Sequence, residues 1–214
     1  MDTNYYPIFL QLHHKLCVVI GGGEVATRKV TTLLECNATV RVISPQLTPE
    51  LEALADAHRL EALRHPYTPE SLAGAYLVIA ATSSPAVNRQ VATHCHANNI
   101  PINVVDAPEL CDFIVPATVK RGPLTIAVST GGNLPAMARH IRQVLATEFD
   151  EVYGELLTAL GEARARVLRD INDPVQRKQI FTTLVTTDLL TTLRQEGRTA
   201  LELKIEQIIH SQSE

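Results

Sequence analysis

Gly21-x-Gly23-x-x-Ala26 stands between an apolar run, Leu16-Cys17-Val18-Val19-Ile20, and a segment with helical periodicity. That strand-to-helix context is what the spacing needs in order to hold a phosphate. The first glycine permits the tight turn out of a strand, and the second lets the backbone come close to a pyrophosphate. Small Ala26 at the third position lets the helix pack on the sheet. Free N–H groups and a partial positive charge at the helix start then face the phosphates. Gly21, Gly22, Gly23, Glu24 and Val25 are therefore expected to cradle a dinucleotide. Glu24 would cap the helix or reach a ribose rather than do chemistry.

A carboxylate that bonds the adenosine ribose is expected about twenty residues further on, at the end of the second strand. Ser44 stands there instead, followed by Pro45 and Gln46. No acid repels a 2′-phosphate and no arginine grips one, so this rule leaves NAD and NADP open, with NAD the preferred choice. Asp106 lies just beyond Ile102-Asn103-Val104-Val105, beside where a nicotinamide would lie. It is placed either to accept a proton or to cap the turn that follows, and Asp112 could play either part. Ser129-Thr130-Gly131-Gly132-Asn133 is a second donor-rich loop entering a helix. Ser129, Gly131, Gly132 and Asn133 either bind an anion such as a substrate carboxylate or only start that helix. Arg139 and Arg142 follow on the helix, and Lys120 and Arg121 precede the loop; these suit a polyanion or are solvated charges. His94-Cys95-His96 does not read as a metal site, because helical residues two apart point away from each other. No compact cluster of metal ligands is seen elsewhere.

The elements that must position these residues alternate along the first half of the chain. Residues 16–20 read as a strand buried on both faces, 24–36 as a helix and 38–43 as a second strand. Thr48-Pro49-Glu50 combines a capping residue, a proline at the first helical position and an acid in the first turn, predicting a helix over 49–58. A weak strand near 60–64, a short helix at 69–73, a strand over 75–81, a helix over 85–97 and a strand over 101–105 follow. This alternation predicts a Rossmann-type doubly wound parallel sheet. Ligands in such sheets lie at the carboxyl ends of the strands, here 21–23, 44–46, 81–84 (with Thr82) and Asp106. Beyond Asp106 the rhythm changes. Runs at 111–116 and 124–128, separated by Lys120-Arg121-Gly122-Pro123, predict a hairpin. Residues 135–148 read as a helix, and from 151 onward only helices are expected, including one starting at Asp173-Pro174 and a last one at 199–209. The expected division is a Rossmann NAD-binding domain (1–113), a small αβ dimerisation segment (114–149) and a helical C-terminal domain (150–214).

The chain has 214 residues, is 45% hydrophobic and 20% charged, and carries a formal net charge of -4. Nucleic-acid binding, which favours a basic patch, is not indicated. The longest apolar runs fall far short of the ~20 residues needed to span a bilayer. Residues 1–7 show no export signal. Four well-separated cysteines without a CxxC pair read as reduced, buried thiols of a cytoplasmic protein.

Several of these strings occur together in one known family. Tyr6-Pro7-Ile8-Phe9-Leu10, VVIGGGEVATRK at 18–29, NVVDAP at 103–108, Phe113-Ile114-Val115-Pro116, and 128–133 with Pro135 resemble the precorrin-2 dehydrogenase/sirohydrochlorin ferrochelatase family. The resemblance covers residues 5–150 and extends loosely into the helical tail. It implies NAD-dependent oxidation of precorrin-2 to sirohydrochlorin, in the route to siroheme or cobalamin, and in some members insertion of Fe(II), or Co(II), into that product. It also implies a homodimer built through the segment after Asp106, a tetrapyrrole polyanion as substrate, and a role for Asp106 in both activities. Ser129 matches a serine that is phosphorylated in some larger relatives. The chain stops ahead of the methyltransferase domain fused behind this module in multifunctional siroheme synthases, and so reads as a stand-alone enzyme. The competing class is a non-catalytic NAD-sensing Rossmann regulatory module, in which Asp106 and the second loop have no obvious task.

Overall fold

In a computed structural model, residues 5–211 are described; residues 1–4, on which part of the leader expectation rests, lie outside them. The chain divides into two compact units, Met1–Val115 and Pro116–Glu214. Residues 114–115 thus fall with the first unit, and 116–149 share the second with 150–214.

The first unit alternates strands and helices: β1 (Leu16–Ile20), α1 (Glu24–Glu35), β2 (Thr39–Ile43), α2 (Pro49–Asp56), β3 (Glu61–Leu63), a 3-10 turn (Pro69–Leu72), β4 (Leu77–Ala80), α3 (Pro85–Ala97) and β5 (Ile102–Val104). The strands form one parallel sheet in the order β3-β2-β1-β4-β5. Central β1 pairs with β2 (Cys17 opposite Val40) and with β4 (Cys17 opposite Leu77). Its alternate side chains feed two cores: Cys17 and Val19 pack with Ala26, Val30 and Leu51, while Val18 and Ile20 pack with Leu72, Val91 and Cys95. Each such aliphatic side chain withdrawn from water stabilises the sheet by about 1.5–3 kcal/mol. Helix starts follow local chemistry. The Thr48 hydroxyl accepts from the amide of Leu51 and the Ser84 hydroxyl from Val87, each followed by a proline at the first helical position. After β3 the chain crosses β1 to lay down β4. This reversal of strand order opens a crevice over the carboxyl ends of β1 and β4.

The second unit opens with an antiparallel hairpin, β6 (Ala117–Arg121) and β7 (Leu124–Val128), followed by α4 (Pro135–Glu148), α5 (Glu151–Asp170), α6 (Pro174–Thr186) and α7 (Leu189–Ser211). Its core joins Ala159, Ala163 and Val167 of α5 to Ile180, Leu184, Leu193, Leu201 and Ile205. The first hairpin strand is not the expected 111–116 but 117–121, because Cys111 and Asp112 are bonded instead to the outer edge of β5. Lys120 and Arg121 consequently lie in the strand, and Gly122 makes the turn at a φ of 50°. The last helical segment follows Gly197, which at φ 84° breaks α7, in keeping with the expected 199–209; the helical stretch over 189–196 ahead of it was not singled out. Of the four cysteines, all free, Cys17 and Cys95 are buried and Cys111 is half-buried, but Cys36 is exposed, following the last turn of α1. Among the described residues no helix is long and apolar enough to cross a membrane.

Candidate functional site

A cleft of about 1000 Å³ opens over the carboxyl ends of β1, β2, β4 and β5. That volume is at the upper end for small-molecule sites and suits an extended ligand. All nine expected cofactor residues (Gly21, Gly22, Gly23, Glu24, Val25, Ser44, Pro45, Gln46 and Thr82) line it, together with Asp106.

Gly21 leaves β1 at a φ of 121°, a region that favours glycine, and a Cβ there would strike the main chain of Ala81. Gly22 is closed off from the other side. A Cβ on it would overlap the Gln46 carbonyl oxygen, while the amide of Thr48 donates to the carbonyl of Gly22 at 2.9 Å. Gly23 differs: nothing lies within 4 Å of the place a Cβ would take. It is the N-cap of α1, and no side chain caps that helix. The uncapped amides of the first turn therefore stay available at the cleft, as a bound pyrophosphate requires. Completely buried Ala26 brings α1 close to the sheet. Glu24 is exposed in the first turn and does not cap the helix.

At the β2 end, the Ser44 hydroxyl donates to the carbonyl oxygen of Gln46 at 2.7 Å. Ser44, Pro45, Gln46 and Leu47 give this end no charge. Arg41, on β2 itself, is committed to Glu61 and to the carbonyls of Ser71 and Ala73. Thr82 lines the cleft, but its hydroxyl is engaged: it donates to Asn88 Oδ1 at 2.7 Å and accepts from the amide of Ser84 at 3.2 Å. Asn88 Nδ2 returns a bond to the Thr82 carbonyl at 3.1 Å. Buried Asn88 thus fixes the β4 loop, a role that sequence reasoning missed. Its signal was a polar residue on the inward side of an otherwise apolar helical face.

Asp106 sits beyond β5 at a φ of 60°, exposed on the cleft. It does not cap the following 3-10 turn (Pro108–Leu110), whose N-cap residue is Ala107. Asp112 is used structurally: Oδ2 accepts from the amide of Ile102 at 3.0 Å, and Oδ1 lies 3.4 Å from His96 Nε2. Arg89, exposed on α3, is the cation among the lining residues, and it too was missed. Ser129, Gly131, Gly132, Asn133 and Arg139 belong to the second unit. There the Ser129 hydroxyl accepts from the amide of Gly131 at 3.1 Å, Gly131 and Gly132 have positive φ, and Arg139 is exposed on α4. Among the described residues no three His, Cys, Asp or Glu side chains are grouped to hold a metal.

A glycine turn leaving the central strand of a doubly wound sheet, an uncapped helix start and a cleft at the switch point define a Rossmann-type dinucleotide-binding protein. The chain belongs to the family described as "Putative NAD(P)-binding", whose model matches residues 8–117. Residues 121–147 match a second model, described as sirohaem biosynthesis protein, central. The chain is 45% identical over 172 residues to a siroheme synthase of Methylobacillus flagellatus, covering 80% of this chain and 37% of that protein. It is 44% identical over 182 residues to one of Nitrosospira multiformis, covering 83% and 39% respectively. The chain thus spans about two fifths of the length of these curated relatives. The solved structure titled SirC, precorrin-2 dehydrogenase, superposes with a TM-score of 0.81 at 25% identity, covering 95% of this chain and 100% of that one. The cofactor is NAD; the open space at Gly23 and the uncapped α1 suit a pyrophosphate, and the neutral β2 end offers no cation to a 2′-phosphate.

Proposed function

We propose that this chain is an NAD-dependent dehydrogenase that oxidises precorrin-2 to sirohydrochlorin in siroheme biosynthesis, acting as a homodimer in the cytoplasm. What carries this reading is the structural match to a precorrin-2 dehydrogenase along that protein's whole length. NAD supplies the acceptor for the hydride. Asp106, exposed on the same cleft as the glycine loop and not used to cap a turn, takes the accompanying proton as the new double bond forms. Hydride and proton together account for the two hydrogens lost by the substrate. Ser129, Gly131, Gly132, Asn133 and Arg139 supply N–H, hydroxyl and guanidinium donors for the carboxylates of the tetrapyrrole. Fe(II) or Co(II) enters as a second substrate, with exposed Asp106 accepting the two displaced pyrrole protons one after the other and passing each to solvent. The homodimer is supported by α4 and its N-cap residue, where Leu134, Met137, Ile141 and Val144 form an apolar stripe that is 37–55% exposed.

Anaerobic incubation with precorrin-2 and NAD, followed by visible spectroscopy, tests the reading. NADH and the sirohydrochlorin spectrum should rise together. An unchanged tetrapyrrole spectrum beside measurable NAD binding would leave only a nucleotide-sensing module. Adding Fe(II) or Co(II) to sirohydrochlorin without NAD tests the metal step separately.

A further inference from the structure

Among the described residues β5 pairs with β4 on one side only, and no strand follows on the other. Its outward N–H and C=O groups would be left to water, yet the segment beyond the Asp106 turn satisfies them. At Ile102 this is done by Asp112, whose amide donates to the Ile102 carbonyl at 2.9 Å and whose carboxylate accepts from the Ile102 amide. At Val104 a single sulfur takes the place of a strand. Cys111 Sγ accepts from the Val104 amide at 3.1 Å, and lies 3.3 Å from the Val104 carbonyl oxygen and 3.4 Å from that of Ala107. Asn103 Nδ2 reaches the same sulfur at 3.6 Å. Burial pushes the thiol above its ordinary range, so it keeps its S–H donor at neutral pH.

Val104 and Ala107 flank the turn that carries Asp106. That turn closes through the Ala107 amide donating to the Val104 carbonyl at 3.3 Å, and it holds Asp106 at a φ of 60°, a left-handed conformation that non-glycine residues adopt uncommonly. We infer that Cys111 is a positioning residue for the reaction: its thiol, bonded on both sides of Asp106, holds the left-handed turn that presents the Asp106 carboxylate to the cleft. The inference rests on the proton-accepting role proposed for Asp106.

The test uses the whole chain, with turnover of precorrin-2 and NAD titration measured side by side. Cys111→Val keeps the apolar volume and loses both donor and acceptor. It should lower kcat about tenfold or more while NAD affinity stays within about twofold, since an interaction serving only the chemical step appears in kcat. Cys111→Ser, which retains a donor and an acceptor, should return kcat to within about threefold of wild type. Wild-type kcat in Cys111→Val, equal impairment in the serine variant, or a parallel loss of NAD affinity would each overturn the inference. Cys111→Ala adds no bulk and carries the same expectation if the valine variant does not fold. If neither folds, the thiol is a folding requirement and the positioning role falls. Asp106→Ala serves as the reference: wild-type turnover there overturns the role of Asp106 itself, whereas an inactive Asp106→Ala beside a fully active Cys111→Val overturns only the positioning.

Discussion

The main-chain amide of Thr48 donates to the carbonyl oxygen of Gly22 at 2.9 Å, which fastens the loop after β2 to the middle of the glycine loop. The middle glycine is therefore needed by the fold, whereas Gly23, with open space before it, is free of that constraint and is proposed to face the ligand. The two positions should separate in experiment. Gly22→Ala must push the Gln46 carbonyl aside and should cost about 1–3 kcal/mol of stability, with NAD affinity falling about tenfold as the cradle distorts. Gly23→Ala should melt within about 1 kcal/mol of wild type and still lose NAD affinity, because the methyl group occupies the space of the pyrophosphate. Thermal melts paired with NAD titrations measure both effects.

Asn88 and Thr82 exchange two bonds within a mostly buried cluster. Asn88→Ala leaves the Thr82 carbonyl and hydroxyl without these partners and should cost about 1–3 kcal/mol, with a moderate loss of NAD affinity as the β4 loop loosens. Combining it with Thr82→Val should show a coupling of about 0.5–3 kcal/mol in a double-mutant cycle. Additivity would mean that the two side chains act independently.

The buried thiols predict an alkaline limit to stability. Desolvation pushes Cys95 up to about 12 and Cys17 up to about 11 from an ordinary 9.0, and Tyr67 up to about 12 from 10.0. Each folded value lies above the unfolded one, so the contribution is complete below about pH 9 and is lost as pH rises through the folded values. Over that window the unfolded chain binds fewer protons, and stability should fall by up to about 1.4 kcal/mol per pH unit for each thiol. Urea melts across this range measure the slope, and Cys95→Val should flatten it. In the native state exposed Cys36 should react with a thiol reagent while Cys17 and Cys95 resist until the protein unfolds.

Much of the first unit was legible because its signals are local. The apolar run 16–20 coincides with β1, and a capping residue followed by proline marked the start of α2. The cleft was legible for the same reason, since a doubly wound sheet brings its strand ends together whatever the loops contain. What escaped was set by distant partners. The run at 111–116 has strand-like composition, but Cys111 and Asp112 are drawn to the edge of β5, and the hairpin starts at Ala117 instead. Asn88 was visible only as a polar residue on an apolar helical face, and its task became clear once its partner loop was in place. On α5 the buried residues are Gly154, Ala159, Ala163 and Val167, and the small size of the first three is informative only once the facing elements are known.

The α4 stripe makes a prediction about assembly. If Leu134, Met137, Ile141 and Val144 are covered by a second copy, Ile141→Glu with Val144→Glu should convert a dimer to a monomer in sedimentation or light-scattering measurements. The cleft that carries the glycine loop is lined by residues of the first unit, so NAD affinity should be unchanged in the monomer. A wild-type chain that is monomeric at micromolar concentration would remove the dimer from the proposal.

Ser44 provides the sharpest control of cofactor choice. Its hydroxyl is turned to the Gln46 carbonyl at 2.7 Å, and the surrounding β2 end is uncharged, so discrimination against a 2′-phosphate rests on missing attraction rather than on repulsion. Adding charge should therefore move selectivity in either direction. Ser44→Asp supplies acceptors for the ribose hydroxyls and repels the phosphate; charge-assisted hydrogen bonds contribute about 1.5–3 kcal/mol, or about 10- to 100-fold in the NAD-to-NADP ratio. Ser44→Arg should shift the ratio towards NADP by a similar factor, and both shifts should shrink as salt screens the partly exposed site. Titrations of each variant with NAD and NADP at two ionic strengths measure this. A ratio unmoved by either substitution would mean that the ribose does not lie at the carboxyl end of β2, and the orientation of NAD in the cleft would have to be reversed.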